Sequence, residues 1–443
     1  MQLFPLLRFV AFVTLITVLP KLAMAGMIRD TELEIGLQTL AAPLSKAAGY
    51  APGNIAIRII IDDDYNAFVA GDKIIYLHSG LLLKAQSATE ILGVIAHELG
   101  HLKAGHVPRR DEALKQASNA GALAAIAGIA LAASGVPGDA AMGVLIGGSD
   151  QATRKMLQSF RHDESVADEF GLTFLDDAGI SSAGLATMMR RMAAQRALPE
   201  NRQAHYYQTH PGAAERLAAY QDHQNRSPHA ARPIAPDKAR FMTRLVDKMR
   251  AYTEQPRSVL AVPSQLAPEN QAYGHAIAYY RRGNLDTALA LMDDLTREHP
   301  DDPYYHEFRG DILLSMANPV AAATAFEAAI NLRPDSPQIL LNLGRALIAT
   351  NDKSKLPRAI EAITATVRSE TEWAFAYRQL AIAYGRSDEI ARADLNLAIE
   401  AVLKDDHPQA IRMAHRVIKQ PDVPHDVLSR ANDILFRFDK PPQ

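Results

Sequence analysis

His97-Glu98-Leu99-Gly100-His101 is the stretch of this 443-residue chain whose residue types and spacing could do chemistry. It continues the apolar run Ile91-Leu92-Gly93-Val94-Ile95-Ala96, which predicts a helix entering a core. Two histidines four residues apart lie on one helical face, about one turn apart. Both imidazoles can reach one Zn²⁺, and Glu98 then stands where a general base takes a proton from an activated water. The chemistry implied is metal-assisted hydrolysis of a peptide bond, with one Zn²⁺ per chain.

Two histidines do not complete a catalytic zinc site, which needs a third protein ligand and an open position. The chain has no cysteine, so the remaining ligand is His, Asp or Glu. His106 is close in sequence, but the metzincin spacing requires Gly at Ala104 and His at Val107, and both positions fail. A carboxylate from a later helix is the alternative. Glu164 and Asp168 share a helical face at i, i+4. Glu164 could bind the metal while Asp168 accepts the free ring N–H of a zinc histidine. A solvated acidic face is the competing reading, since Asp163 and Glu169 are nearby.

Several elements must position these groups. Ile28 to Lys46 has helical apolar spacing, and the β-branched run Ile55 to Ile61 predicts a strand. Ala67–Ala70 and Lys73–Leu77 read as two short strands around Gly71-Asp72, a hairpin signal. The strand at 73–77 is expected to pair with an extended substrate. A helix near Leu81 precedes the histidine helix. Further helices are predicted over 160–175, 183–196 and 241–252, with a polar loop over 222–237. Ala117 to Gly148 is almost entirely Ala, Gly, Leu, Ile and Val, broken at Ser134-Gly135-Val136-Pro137-Gly138-Asp139. Each arm falls short of the ~20 apolar residues of a membrane span. A buried hairpin, a flap over the cleft and a peripheral membrane contact all fit that segment.

The N-terminus carries Arg8, the apolar core Phe9 to Leu19 and the small-residue site Ala23-Met24-Ala25. That pattern predicts a signal peptide over 1–25, cleaved after Ala25, and export to a periplasm. A net charge of -3 gives no electrostatic case for nucleic acid. Pro256, Pro263 and Pro268 mark 256–270 as an interdomain linker. Beyond it the chain repeats. Ala288, Met292 and Pro300 recur as Ala322, Phe326 and Pro334, and Gly310 recurs as Gly344, always 34 residues on. This spacing predicts tetratricopeptide repeats over 271–440. The third unit leaves register around Lys353 to Pro357, and a fourth starts near Trp373.

Taken together, the His97–His101 motif, Glu164-x-x-x-Asp168, His210-Pro211 and Arg216 resemble the gluzincin peptidase family that includes HtpX. Asn66-Ala67-Phe68 and Leu77-His78-Ser79-Gly80-Leu81 add to the likeness. With the export signal and the repeats, the layout is similar to the BepA-like members. The motifs cover residues 26–255, and the remainder is similar in architecture only. One departure is Val166, where such sequences often carry an acidic residue. The resemblance implies a mainly α (α+β) fold: a gluzincin-type metallopeptidase domain with a small β-sheet, then an α-helical repeat solenoid. It implies zinc ligands His97, His101 and Glu164, with Glu98 as base and His210 able to take the fourth metal position at rest. Arg216 would be an electrostatic partner of the substrate carbonyl or its oxyanion. The implied partners are protein substrates, including misfolded outer-membrane proteins, and outer-membrane assembly machinery reached through a groove of the repeats.

Overall fold

The computed structural model describes residues 26–70, 73–106, 150–195, 210, 213–261 and 267–439. The signal segment 1–25, the turn at Gly71-Asp72 and the apolar stretch 117–148 lie outside the described residues.

Four strands form one sheet: β1 (Met27–Ile28), β2 (Ala56–Ile60), β3 (Ala67–Ala70) and β4 (Ile74–His78), in the order β1-β2-β4-β3. β2 and β4 run parallel with Ile57 opposite Ile75, while β3 pairs antiparallel with β4, Phe68 opposite Tyr76. Alternation along β2 and β4 buries Ile57, Ile59, Ile75 and Leu77 on one face. The strand expected to receive an extended substrate, β4, is therefore interior, with a neighbour on each side. Among the described strands, the sheet edge on that side belongs to β3.

Helix α1 (Thr31–Ala47) is capped by Asp30, whose side chain accepts from the Leu33 N–H. It presents Leu33, Leu37, Leu40 and Leu44 to the core, the stripe expected of its spacing. Helix α2 (Ser79–Lys84) follows β4 without a loop, and α3 (Ala88–Lys103) carries the two motif histidines. Helices α4 (Asp150–Asp177), α5 (Ala183–Gln195), α6 (Ala213–Arg226) and α7 (Pro236–Thr253) complete this part. Leu92, Ile95 and Leu99 of α3 share one apolar core with Leu172 and Leu175 of α4 and with Leu185 and Met189 of α5.

Small residues set how closely these helices cross. A Cβ on Gly100 would lie 2.2 Å from the Ala167 carbonyl oxygen, so α3 and α4 touch backbone to backbone. A Cβ on Gly184 would lie 2.3 Å from the Glu90 nitrogen, which fixes α5 against the start of α3 in the same way. Only glycine permits these approaches.

Within the stretch read as a linker, α8 (Pro256–Ala261) is helical, and Val259 packs with Tyr273 and Ile277. The remaining helices stack as antiparallel pairs: α9 (Pro268–Arg281) with α10 (Leu285–Glu298), α11 (Pro303–Ser315) with α12 (Pro319–Leu332), and α13 (Pro337–Ala349) with α14 (Leu356–Ser369). Next come α15 (Ala374–Arg386) with α16 (Ile390–Leu403), then α17 (His407–Ile418) and α18 (His425–Phe438). The 34-residue period has a local cause at each turn. Gly283, Ala317 and Asn351 all adopt positive φ, and each precedes the residue that caps the next helical segment. The next positive-φ residue, Asp388, comes 37 residues after Asn351. The three extra residues match the 3₁₀ turn Lys353–Lys355, which accounts for the break in register seen in the sequence.

The two parts meet through buried charge. Glu32 pairs with Arg244 at 2.5 Å and Lys248 at 2.9 Å, and Lys248 also meets Asp30 at 2.9 Å. Glu34 accepts from Arg58 at 2.6 Å and from Gln338 of α13 at 3.1 Å, while Thr31 donates to Glu307 of α11. The start of α1 thus lies against α11 and α13, occupying surface of the repeats that the sequence left for a partner. Among the described residues, no helix is long and apolar enough to cross a membrane.

Candidate metal centre

The crossing of α3 and α4 brings the motif residues together. His97, Glu98 and His101 project from α3 and Glu164 and Asp168 from α4, and all five are at least 96% buried. His97 Nε2 lies 3.1 Å from His101 Nε2 and 3.3 Å from Glu164 Oε2. His101 Nε2 lies 3.3 Å from Glu164 Oε1. His210 enters from the segment before α6. Its Nδ1 sits 3.3 Å from His97 Nε2 and 2.9 Å from Glu164 Oε2. Its Nε2 is 3.8 Å from Glu98 Oε1.

The four donor residues His97, His101, Glu164 and His210 therefore offer ligand atoms that all fall within 4.8 Å of one another. Tetrahedral zinc with bonds near 2.0–2.2 Å has ligand atoms about 3.4 Å apart, and the measured separations are close to that. Three ring nitrogens and a carboxylate converge in a buried interior, where their charges must be matched by a bound cation or by protons on the rings. The donor set fits a zinc ion.

A surrounding layer orients the donors. His97 Nδ1 lies 2.8 Å from Asp168 Oδ1, so with a metal bound its one proton would sit on Nδ1 and Nε2 would turn its lone pair to the ion. Arg216 of α6 clamps Asp168 with two donors, Nε to Oδ2 at 2.6 Å and Nη2 to Oδ1 at 2.7 Å. Its Nη1 donates to Glu164 Oε2 at 2.8 Å and reaches the His210 carbonyl at 3.4 Å. Tyr220, one helical turn after Arg216, donates its hydroxyl to Asp168.

These contacts reset the charges. Burial opposes ionising His97, but hydrogen bonds to Asp168 and Glu164 outweigh it and lift its proton affinity to about 9. His101 moves the other way: burial pushes it down to about 3. Burial raises both carboxylates, yet His210 and Arg216 hold Glu164 well below the usual range, and Arg216 with His97 brings Asp168 to about 2. Both acids are anionic at neutral pH and suited to a cation.

Every residue singled out in the sequence is in this cluster, but one sits differently from expectation. Arg216 was expected to face the substrate. Instead it is 5% exposed and its three nitrogens are engaged by Asp168, Glu164, the His210 carbonyl and Tyr220. Two buried carboxylates on one side of the cluster need a fixed countercharge, and that need holds the guanidinium in place. Sequence reading missed Tyr220 and set His106 aside. His106 does follow Gly105, whose positive φ of 67° ends α3 and turns the chain back. A glycine just past a helix end is the signal that could have pointed to its return against His101.

A buried cluster of two histidines and a glutamate on crossed helices, joined by His210 and flanked by Glu98, is the donor set of a metal-dependent hydrolase. Residues 29–224 match Peptidase family M48, and residues 273–318 and 309–369 match the tetratricopeptide repeat. The metalloprotease LoiP of Escherichia coli K12 is 30% identical over 193 residues, covering 44% of this chain and 71% of that protein. The beta-barrel assembly-enhancing protease of Yersinia pestis is 22% identical over 441 residues, covering 94% of this chain and 88% of its own. A Vibrio cholerae relative, under a provisional form of that name, is 29% identical over 296 residues; the match covers 65% of this chain but only 60% of the relative. The chain belongs to peptidase family M48, a family of zinc metalloproteases, with repeats appended.

Proposed function

We propose that this chain is a gated zinc metalloendopeptidase of the periplasm that acts on protein substrates in outer-membrane protein quality control. The observation that carries the reading is the convergence of His97, His101, Glu164 and His210 with Glu98 alongside. His97, His101 and Glu164 hold the zinc. When bound, zinc polarises the scissile carbonyl and lowers the pKa of water from ~15.7 toward ~7. Glu98 takes the proton of the attacking water and delivers it to the leaving amine. Asp168 fixes the tautomer of His97. Arg216 holds Asp168 and Glu164 in register and stabilises the oxyanion only through that order. The edge of β3 pairs with the extended substrate, the role expected first of β4.

Four protein donors make a closed set, the arrangement of structural zinc sites, whereas catalysis needs an open position. His210 is the donor that must withdraw, because the other three ride on the core helices α3 and α4. Its departure is the gate.

The division we propose is a signal peptide at 1–25, a peptidase domain at 26–255, a linker at 256–270 and repeats at 271–440. The family match, the repeat match and the names of the Yersinia and Vibrio relatives support a role in β-barrel assembly, with assembly machinery contacted through the repeats. The start of α1 already covers part of α11 and α13, so the partner surface lies on the remaining repeats or opens when that seam parts.

The test is zinc content and casein cleavage by the chain from Gly26, beside Glu98→Gln and His210→Ala. The expected result is one zinc per chain, loss of cleavage in Glu98→Gln with zinc retained, and faster cleavage in His210→Ala. Zinc without cleavage in both the wild type and His210→Ala would overturn the peptidase assignment.

A further inference from the structure

The two zinc histidines are not oriented alike. His97 Nδ1 donates directly to a carboxylate, Asp168, at 2.8 Å. Among the described residues, no carboxylate is recorded against the Nδ1 side of His101. Its Nδ1 lies 2.8 Å from Nδ1 of His106, a ring that is 98% buried. The two rings meet at 67° with centroids 5.0 Å apart, so the contact is edge to edge through the nitrogens rather than stacked. The far nitrogen of His106, Nε2, lies 3.4 Å from Asp163 Oδ1.

We infer that His106 is a positioning residue for the metal, the middle link of a relay from Asp163 through His106 to His101. The inference rests on the reading of His101 as a zinc ligand and deepens it. The protons are fixed by counting. His101 Nε2 faces His97 and Glu164 in the ligand cluster and must offer a lone pair there. Its one proton is then on Nδ1 and is donated to His106. His106 Nδ1 is therefore the acceptor, which puts the His106 proton on Nε2, facing Asp163. One tautomer at the metal dictates the next two groups outward.

Register explains why this relay exists. Asp163, Glu164 and Asp168 are successive carboxylates on α4 that meet His106, His101 and His97. His106 lies beyond the end of α3 and reaches the row only because Gly105 reverses the chain. A histidine in this place accepts from one ring and donates to a carboxylate, which an amide can do in part and an alkyl chain cannot.

The experiment measures Zn²⁺ affinity of the full chain by competition with a chromophoric chelator. It compares wild type, His106→Ala, His106→Gln and Asp163→Ala, with folding followed by circular dichroism. His106→Ala is expected to bind zinc about 10- to 100-fold more weakly. His106→Gln, which still offers an acceptor, should recover most of that loss, and Asp163→Ala should lose less than His106→Ala. A second readout needs no substitution. In ¹⁵N-labelled zinc-loaded protein, His101 should be protonated on Nδ1 and His106 on Nε2. A folded His106→Ala chain with wild-type zinc affinity, or a His106 protonated on Nδ1, would overturn the relay. A wild-type chain that binds no zinc would instead overturn the ligand assignment on which the relay depends.

Discussion

Gly100→Ala tests whether the closeness of α3 and α4 is what assembles the site. The added methyl would sit 2.2 Å from Ala167 O and 2.9 Å from Ala167 C and Cα. These are backbone atoms, so no side chain can swing aside. Ordinary contact begins near 3.4 Å, so the helices must separate by about 1 Å. His97 and Asp168 are now 2.8 Å apart across that crossing. A 1 Å separation carries them beyond hydrogen-bond range. Metal ligands tolerate about 0.2 Å, so the movement exceeds what zinc accepts several-fold. We expect destabilisation of at least about 1–3 kcal/mol from overpacking, and at least a 100-fold loss in zinc affinity and in kcat/KM. Chelator competition, thermal unfolding and peptide cleavage read these out. Gly274→Ala is the control, because its Cβ would meet neighbours only at 3.8 Å and 3.9 Å. If Gly100→Ala binds zinc and melts like the wild type, the backbone contact does not set the site and the argument fails.

Other consequences can be checked in parallel. Arg216→Ala leaves Asp168 and Glu164 as buried charges without their common partner and should cost about 3–5 kcal/mol in the zinc-free chain. Arg216→Lys should rescue little, since an ammonium cannot span both carboxylates; thermal unfolding with and without zinc decides both. Burial raises Glu34 to about 7 against the pull of Arg29 and Arg58. A carboxyl raised on folding stabilises below its unfolded pKa and loses that contribution as pH climbs through its folded one. Wild type should therefore lose stability relative to Glu34→Gln between about pH 4.5 and pH 7, by an amount on the order of a few kcal/mol. Parallel urea titrations showing a flat difference would refute this. Ala317 holds φ at 57° where the preceding repeat has Gly283. Ala317→Gly should stabilise the repeats by about 0.5–1 kcal/mol, and a lower denaturation midpoint would contradict that.

The local chemistry of the site was legible in the sequence because ligand spacing on a helix is a local property. His97 and His101 at i, i+4, and Glu164 and Asp168 at i, i+4, each declare a shared face before any tertiary structure exists. That the two faces meet was suggested by ligand counting, since two histidines need a third donor and no cysteine is available. The repeats were legible because period and cap chemistry coincide, down to the break that the turn at Lys353–Lys355 explains. The order of strands was not legible. Nothing in Lys73–Leu77 says that β2 will take its far side, because an interior and an edge strand of similar apolar content differ only in partners distant in sequence. The place of Arg216 was hidden for the same reason: its clamp on Asp168 spans 48 residues and depends on two buried carboxylates competing for one cation.

The closed donor set and the seam against the repeats have one energetic theme. Charges buried at Glu164 and Asp168 are matched by Arg216, and those at Asp30 and Glu32 by Lys248 and Arg244. Buried ion pairs add little net stability, but breaking one by removing a partner is costly. Such pairs suit joints that must either close in one geometry or part altogether. His210 meets the cluster from outside the core helices, at 2.9 Å from Glu164 and 3.3 Å from His97. Of the four donors, His97, His101 and Glu164 ride on α3 and α4, and His210 does not. That asymmetry, three donors held by a helix crossing and a fourth outside it, is the reason the proposed gate is placed at His210.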